Sequence, residues 1–422
     1  MKILQVNNYG YIKGGSEKVF FESIKVLKEH SCQVRAFCMN SNDNIKSDEI
    51  TSVSINKYEE RRGLWETLIS IKNFFYNKKV EKSFEKIIID FMPDIIHIHI
   101  IYGRLTNAII KVAEKYKIPI VQSVHEFRLL CPIYTCLNGE QKICEKCATS
   151  TFNWGCVKNR CSKGHLLNSI LVAAECKYRD WFFNHQKKIS GFIMVSKFIK
   201  QKHLEYYPDI KDKCYHIYNS VDIKAYSKFI SYDKYQQERY YLYFGRLSYE
   251  KGIMSLIDFF KEKPGLKLKI IGTGPLLTMI QQIVCEQSLS NIEILGYQSG
   301  DNLYNYVAKA YFTIVPSEWY ENNPLTIIES LALGTPVIGN KIGGIPEIIK
   351  DSETGYIYDY NTIGDFSCCM EKANSLMKSD YEEMINSCIK EAFDKFNNDN
   401  YGERLISVYN SVINNYRLEN IR

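Results

Sequence analysis

The chain's absences narrow the reading first. No apolar run approaches the roughly 20 residues a spanning helix needs. The convincing apolar stretch near the middle of the chain, Gly164–Ala174, is uncharged over only 11 residues and includes His165 and Asn168. Met1–Asn7 carries no long apolar h-region or small-residue cleavage site, so no signal peptide is expected. The protein is therefore expected in the cytoplasm, with its thiols reduced. Proline is sparse at 10, and there is no Gly/Ser or Gln/Asn tract, which excludes collagen-like and low-complexity chains. Tryptophan is the scarcest aromatic, at four against 31 tyrosines. No Asp-x-Asp pair offers the usual acidic cradle for a divalent cation.

What is present fits a soluble chain of more than one domain. Its 422 residues are 45% apolar and 24% charged. The net charge of +6 is unevenly placed. Residues 1–225 hold 35 Lys/Arg against 23 Asp/Glu, and residues 226–422 hold 19 against 25. A basic front half invites an acidic ligand, an anionic membrane surface or nucleic acid.

Short β-branched runs alternate with longer helical patterns. Strands are expected at Lys2–Asn7, Val34–Phe37, Ile95–Ile98, Ile120–Val124, Phe192–Val195 and Cys214–Ile217. Arg61–Phe91 is expected to be mostly helical. After about Asp222 the pattern restarts, with strands at Tyr241–Phe244, Leu266–Ile271, Ile292–Leu295, Phe312–Val315 and Pro336–Ile338. Residues 223–239 read as a linker. The fold class is therefore α/β, as two doubly wound domains that bind ligands at the carboxyl ends of their strands, with a cleft between them as the default site.

Pro316–Gly339 (PSEWYENNPLTIIESLALGTPVIG) is the most informative stretch. Asn323 reads as an N-cap and Pro324 as the first helical residue, so a helix start with free N–H groups lies at the end of a strand, where it favours an anion. Glu321 and Glu329 form an E-x7-E pair in this frame. Tyr243–Gly252 (YFGRLSYEKG), Gly272–Pro275 (GTGP), Gly343–Glu347 (GGIPE), Gly14–Glu17 (GGSE) and Asn219–Asp222 (NSVD) accompany it in order.

Together these segments resemble the retaining nucleotide-sugar glycosyltransferases of family 4, which have the GT-B fold of two Rossmann-like domains facing across a cleft. The resemblance implies an acceptor-side domain at 1–225 with a cysteine-rich insert at 131–161, a donor domain at 226–400, and a helix at 401–422 that crosses back to the first domain. It implies that Arg246 and Lys251 clamp the donor diphosphate and that Glu321, with the loop at Asn322, Asn323, Pro324 and Leu325, holds the sugar. Glu329 would hold the ribose, and Gly14, Gly15, Gly245 and Gly272 would let backbone approach the donor. His125, closing the strand in VHEF, would position the sugar. Catalysis would need no metal or other cofactor. The family often has E-G-F-G where this chain has Glu321–Pro324, and Asn-Gly where it has Asn219–Ser220.

The resemblance favours a UDP-sugar as donor, with a GDP-sugar as the alternative, and a glycan or polyprenyl-linked acceptor in bacterial surface-glycan synthesis. Rival readings are an epimerase or hydrolase on the same fold, or a non-catalytic glycan-assembly partner. A dehydrogenase is disfavoured because Gly10-x3-Gly14-Gly15 lacks G-x-G-x-x-G spacing. Nucleic acid is disfavoured because no binding fold for it is present.

Two features lie outside the shared motifs. Cys131, Cys136, Cys144, Cys147, Cys156 and Cys161 crowd into one insert. Cys144-x2-Cys147 with Cys156-x4-Cys161 would suit a closed structural zinc site, against reduced buried thiols as the plainer reading. Lys13, Arg61, Arg62, Lys72, Lys78 and Lys79, with Leu64, Trp65, Phe74, Phe75 and Tyr76, suggest a basic amphipathic surface for an anionic membrane, and Leu166–Phe183 is a second candidate. The enzyme would then be peripheral on the inner face of the plasma membrane.

Overall fold

The computed structural model describes residues 1–55, 64–235 and 238–421. Arg61 and Arg62 of the expected basic surface lie outside them. The chain forms two compact units, one of Met1–Tyr218 with Asp399–Arg422 and one of Asn219–Asn398.

The first unit is built on seven strands: β1 (Lys2–Tyr9), β2 (Gln33–Met39), β3 (Ile50–Val53), β4 (Ile95–Ile98), β5 (Ile120–Val124), β6 (Gly191–Met194) and β7 (Cys214–His216). They are parallel in the order β3-β2-β1-β4-β5-β6-β7. Helices cover both faces, which is why β4 (IIHI) and β5 (IVQSV) are buried at every position. The order reverses between β1 and β4, so the crevice at their carboxyl ends is this sheet's topological switch point.

Among the described residues, the mostly helical stretch expected over Arg61–Phe91 takes the form of two helices, Leu64–Phe75 and Lys78–Phe91. Asn77 divides them. Its side chain accepts from the amides of Lys79 at 3.0 Å and Val80 at 3.3 Å, capping the second helix. Val80, Phe84, Ile87, Ile88 and Phe91 then form its buried face.

The last helix, Asn398–Ile421, belongs to the first unit from Asp399 onward. Its Tyr409 is fully buried, and its hydroxyl sits 2.7 Å from His97 Nδ1. A Cβ on Gly402 would come within 2.5 Å of the His30 ring and 2.6 Å of Val26. Only glycine lets this helix lie so close to the helix Gly15–Glu29.

The second unit holds six parallel strands: β8 (Tyr241–Phe244), β9 (Leu268–Ile271), β10 (Ile292–Gly296), β11 (Phe312–Val315), β12 (Val337–Asn340) and β13 (Gly355–Tyr358). Their order is β10-β9-β8-β11-β12-β13, which puts the switch point between β8 and β11. Leu256, Ile257, Phe260, Ile270, Tyr311, Phe312, Tyr381 and Ile385 sit at the centre of its core.

Residues 223–239 do not behave as a linker. The unit begins at Asn219, and within the stretch Tyr226 and Lys234 are buried. Lys234 Nζ donates to the carbonyls of Leu333 and Gly334 and to Thr335 Oγ1, at 3.3, 2.8 and 2.7 Å. It therefore caps the carboxyl end of the helix Leu325–Ala332. Burial pushes its ammonium pKa down to about 7.

Candidate functional site

At the second unit's switch point, the loop after β8 and the loop after β11 bring Lys251 and Glu321 together. Lys251 Nζ lies 2.5 Å from Glu321 Oε1. The same oxygen accepts from Ser317 Oγ at 2.6 Å and Trp319 Nε1 at 3.0 Å. Lys251 also stands 5.1 Å from the centre of the Trp319 ring, a cation–π contact. Burial alone would raise the Glu321 carboxyl pKa, but the Lys251 charge and the three hydrogen bonds outweigh it and hold the pKa below the ordinary value. Glu321 is thus a fixed anion.

Backbone packing holds these groups in place. Gly252 has φ +68°, and a Cβ there would sit 1.9 Å from the Pro316 carbonyl oxygen, so the two loops touch backbone to backbone. Gly343, at φ +60°, lies against Glu321 in the same way, where a Cβ would be 2.2 Å from the Glu321 carbonyl oxygen. Gly344 N–H donates to that oxygen at 2.7 Å. The GGIPE turn therefore braces the Glu321 backbone. Gly245 N–H bonds to Ile271 O at 3.0 Å, and Gly272 packs on the Gly245 carbonyl.

Arg246 is exposed, and its guanidinium makes no hydrogen bond or ion pair among the described residues. Tyr243 OH fixes its backbone by donating to the Arg246 carbonyl at 2.6 Å. Glu329 is buried in the second turn of the helix Leu325–Ala332.

The cap of that helix differs from expectation. Pro324, not Asn323, is the N-cap, and no side chain caps it. Asn323 Oδ1 instead accepts from Asn219 N at 2.7 Å, and Asn219 Nδ2 donates to Asn323 O at 3.0 Å. This ties the NSVD segment to the site loop. Asn323 Nδ2 is left buried without a partner among the described residues, a donor available to a ligand. Asn322 is half-buried beside it, and Leu325 opens the helix.

In the first unit, Gly14 and Gly15 are exposed at the start of the helix Gly15–Glu29, directly after the loop from β1. Gly14 is extended, and a Cβ there would meet only Glu17, at 3.6 Å. The protein's own packing does not require glycine there.

His125 follows β5 and ends a chain of buried polar groups. Its Nε2 is 2.9 Å from His99 Nδ1, and the two rings stack at 5.1 Å. His99 Nε2 is 3.0 Å from Gln5 Oε1. Gln5 Nε2 reaches His97 Nδ1 at 3.2 Å, and His97 Nε2 is 2.8 Å from Ser123 Oγ. Burial lowers the pKa of all three imidazoles, to about 3 for His97 and about 4 for His125, so they are neutral hydrogen-bond relays at neutral pH. Glu126 follows His125, and burial pushes its carboxyl pKa up to about 7.

His97 falls inside the expected strand Ile95–Ile98 and His99 directly after it, and neither stood among the candidate site residues. The parts of Gln5, Ser123, Tyr409, Ser317 and Trp319 went unforeseen. An H-x-H on a buried strand was the one available signal.

The expected zinc set does not assemble. Among the described residues, no three His, Cys, Asp or Glu side chains group as metal ligands. The thiols lie in pairs instead, Cys131 with Cys136 and Cys156 with Cys161, and these contacts push the Cys136 and Cys156 pKa values up, while Cys156 Sγ donates to the Ser169 carbonyl at 3.9 Å and Cys161 Sγ to the Gly155 carbonyl at 4.0 Å. Cys131, Cys136 and Cys156 are buried as small core side chains, while Cys144 and Cys147 are half-buried. The insert is rooted by Arg128, which pairs with Glu175 at 2.8 Å and donates to the Pro132 carbonyl.

A family model described as Glycosyltransferase Family 4 matches residues 13–225, half of the chain. The chain belongs to glycosyltransferase family 4. A second model, Glycosyl transferases group 1, matches residues 227–394. The uncharacterized glycosyltransferase MJ1178 of Methanocaldococcus jannaschii is 31% identical over 223 residues, which are 51% of this chain and 60% of that protein. The uncharacterized 42.6 kDa protein in the cps region of Klebsiella pneumoniae is 26% identical over 83% of this chain and 88% of its own length. Among solved structures, Anabaena Alr3699/HepE in complex with UDP superposes with a TM-score of 0.65 at 15% identity, covering 97% of this chain and all of that one. The shared fold is GT-B, two Rossmann-like domains with parallel sheets.

Proposed function

We propose that this family-4 glycosyltransferase is a retaining, metal-independent enzyme that takes its sugar from a nucleotide-diphosphate donor. The observation that carries the reading is the fixed Lys251–Glu321 pair beside the unengaged Arg246 at the second unit's switch point. Arg246 and Lys251 neutralise the diphosphate as the anomeric C–O bond breaks, where preorganised charge has most effect. Glu321 and the orphaned Asn323 amide hold sugar hydroxyls, and Glu329 holds the ribose. The acceptor oxygen forms its bond to the anomeric carbon on the face the phosphate leaves, and the hydroxyl proton passes to the departing phosphate oxygen. His125, neutral, orients the sugar.

The UDP complex of the Anabaena protein supports a UDP-sugar donor, with a GDP-sugar as the alternative. A glycan or polyprenyl-linked acceptor in surface-polysaccharide assembly completes the reading, and a relative in a cps region of Klebsiella pneumoniae is in keeping with that setting. Thermal shift with UDP-, GDP-, ADP- and TDP-sugars tests the donor. One of them should raise Tm, by an increment that Glu329→Ala reduces. The reading fails if none stabilises the protein and none supports transfer.

A further inference from the structure

Three of the chain's four tryptophans are exposed on the first unit. Trp65, Trp154 and Trp181 are 78%, 66% and 62% accessible, while the fourth, Trp319, serves the site above. Trp154 and Trp181 are neighbours, and Trp65 lies on a helix packed against the helix that carries Trp181. Phe152 contacts both Trp154 and Trp181, with ring centres 6.4 and 6.0 Å apart. Phe75 meets Tyr178 edge-on at 5.5 Å, joining the helix Leu64–Phe75 to the helix Leu166–Phe182. Phe74, Cys156, Val172 and Ala173 form a small core beneath both helices and the insert. The two segments expected as separate membrane candidates are therefore one surface with its own foundation.

The outward face of Leu166–Phe182 reverses the usual pattern of a surface helix. Leu166, Leu167, Ile170, Ala174 and Trp181 share one side at helical spacing, and all are exposed, Leu167 at 79%. On the neighbouring helix Trp65, Leu68 and Ile69 are exposed with Lys72. Scattered apolar residues are ordinary on a surface, but an exposed apolar stripe along one helix, with more exposed apolar residues on the helix packed against it, marks a partner.

The charge around the patch chooses that partner. From Lys146 to Ala174 the chain holds four cations (Lys146, Lys158, Arg160 and Lys163) and no Asp or Glu. All four cations are exposed. Indole rings between apolar side chains and flanking cations suit the boundary between headgroups and acyl chains, where an amphipathic ring satisfies both media. A 17-residue helix is about 25 Å long and would lie in that plane. None of the described helices is long and apolar enough to cross a membrane.

We propose that this face, built from the helix Leu64–Phe75, the insert and the helix Leu166–Phe182, docks the protein on an anionic lipid bilayer. The inference is independent of the donor reading, because it concerns a different surface and needs no turnover.

The test is flotation of the full chain with vesicles of phosphatidylcholine alone or mixed with phosphatidylglycerol, without any sugar nucleotide. Binding should require the anionic lipid and weaken with salt. Leu167→Ser/Trp181→Ser should lower the apparent affinity by about tenfold or more, with an unchanged melting temperature because both positions are exposed. Lys158→Glu/Lys163→Glu, which removes no apolar contact, should also lower it by about tenfold or more. Equal binding to neutral vesicles, no binding to anionic ones, or wild-type binding by both variants would overturn the proposal. So would a concentration-dependent dimer that Leu167→Ser/Trp181→Ser abolishes while vesicle binding persists, since the face would then belong to a second copy.

Discussion

At the carboxyl end of the second unit's sheet, a lysine and a carboxylate are held 2.5 Å apart, and the carboxyl pKa is held below its ordinary value. At the same end of the first unit's sheet, three imidazoles are packed together and kept neutral. The strand topologies match, so the backbone does not account for the contrast. Desolvation acts on both. Glu321 has a cation and three hydrogen bonds to overcome it, whereas the hydrogen bonds described for the histidines run to neutral groups and to one another. The first arrangement suits an anionic ligand. The second suits precise orientation without charge.

The strongest way to break the comparison is to discharge the second unit's site. Lys251→Ala should cut transfer by about 10²–10³-fold, the usual scale for losing one preorganised stabilising group. It also leaves Glu321 buried with only Ser317 and Trp319, so the Glu321 pKa should rise. Wild-type turnover in a steady-state assay would remove the clamp.

A smaller effect is expected from the bracing turn. Gly343→Ala forces a Cβ to 2.2 Å from the Glu321 carbonyl at a left-handed φ, so it should cost about 2–3 kcal/mol in urea denaturation. A loss below about 0.5 kcal/mol would mean the turn moves freely.

Acid separates the two regions. A histidine whose folded pKa lies below 6.5 contributes stability that is complete above that pH and is lost as pH falls toward the folded value. For His97 and His125 that window runs from about 6.5 down to about 3–4. The Glu321 contribution is present above about 4.5 and is lost only as pH falls below it. Melting temperature should therefore begin to fall near pH 6.5, and His125→Gln should flatten that first decline while Lys251→Ala leaves it intact. The same early slope in His125→Gln would show that this imidazole is not the titrating group.

The mildest test is Tyr409→Phe. It removes one hydroxyl from the histidine chain and should cost about 1 kcal/mol in chemical denaturation, with little change in the second unit's ligand response.

Much of this was readable from residue pattern. Buried parallel strands are continuous apolar runs, so β1, β4, β5, β8 and β11 stood out. β3 (ITSV) is a short edge strand, and β13 (GYIY) opens on glycine, so neither carries that signal. The helical character of Arg61–Phe91 was legible, whereas the division at Asn77 was not, because apolar periodicity runs through it and a cap depends on side-chain geometry. Lys251, Glu321 and the glycines were legible from motif order. The Tyr409–His97 contact spans 312 positions and leaves no local trace. The cysteine spacing suggested a tetrahedral site, but spacing does not say which sulfurs a folded loop turns toward each other.

The last helix sets an order of events during synthesis. Residues 1–218 leave the ribosome 180 residues before the helix that fills their core begins to emerge. At cellular translation rates this is an interval of about 10–40 s. Throughout it, the seats of Tyr409 and Gly402 beside His97, His30 and Val26 stand open, so the first unit is begun first and completed last.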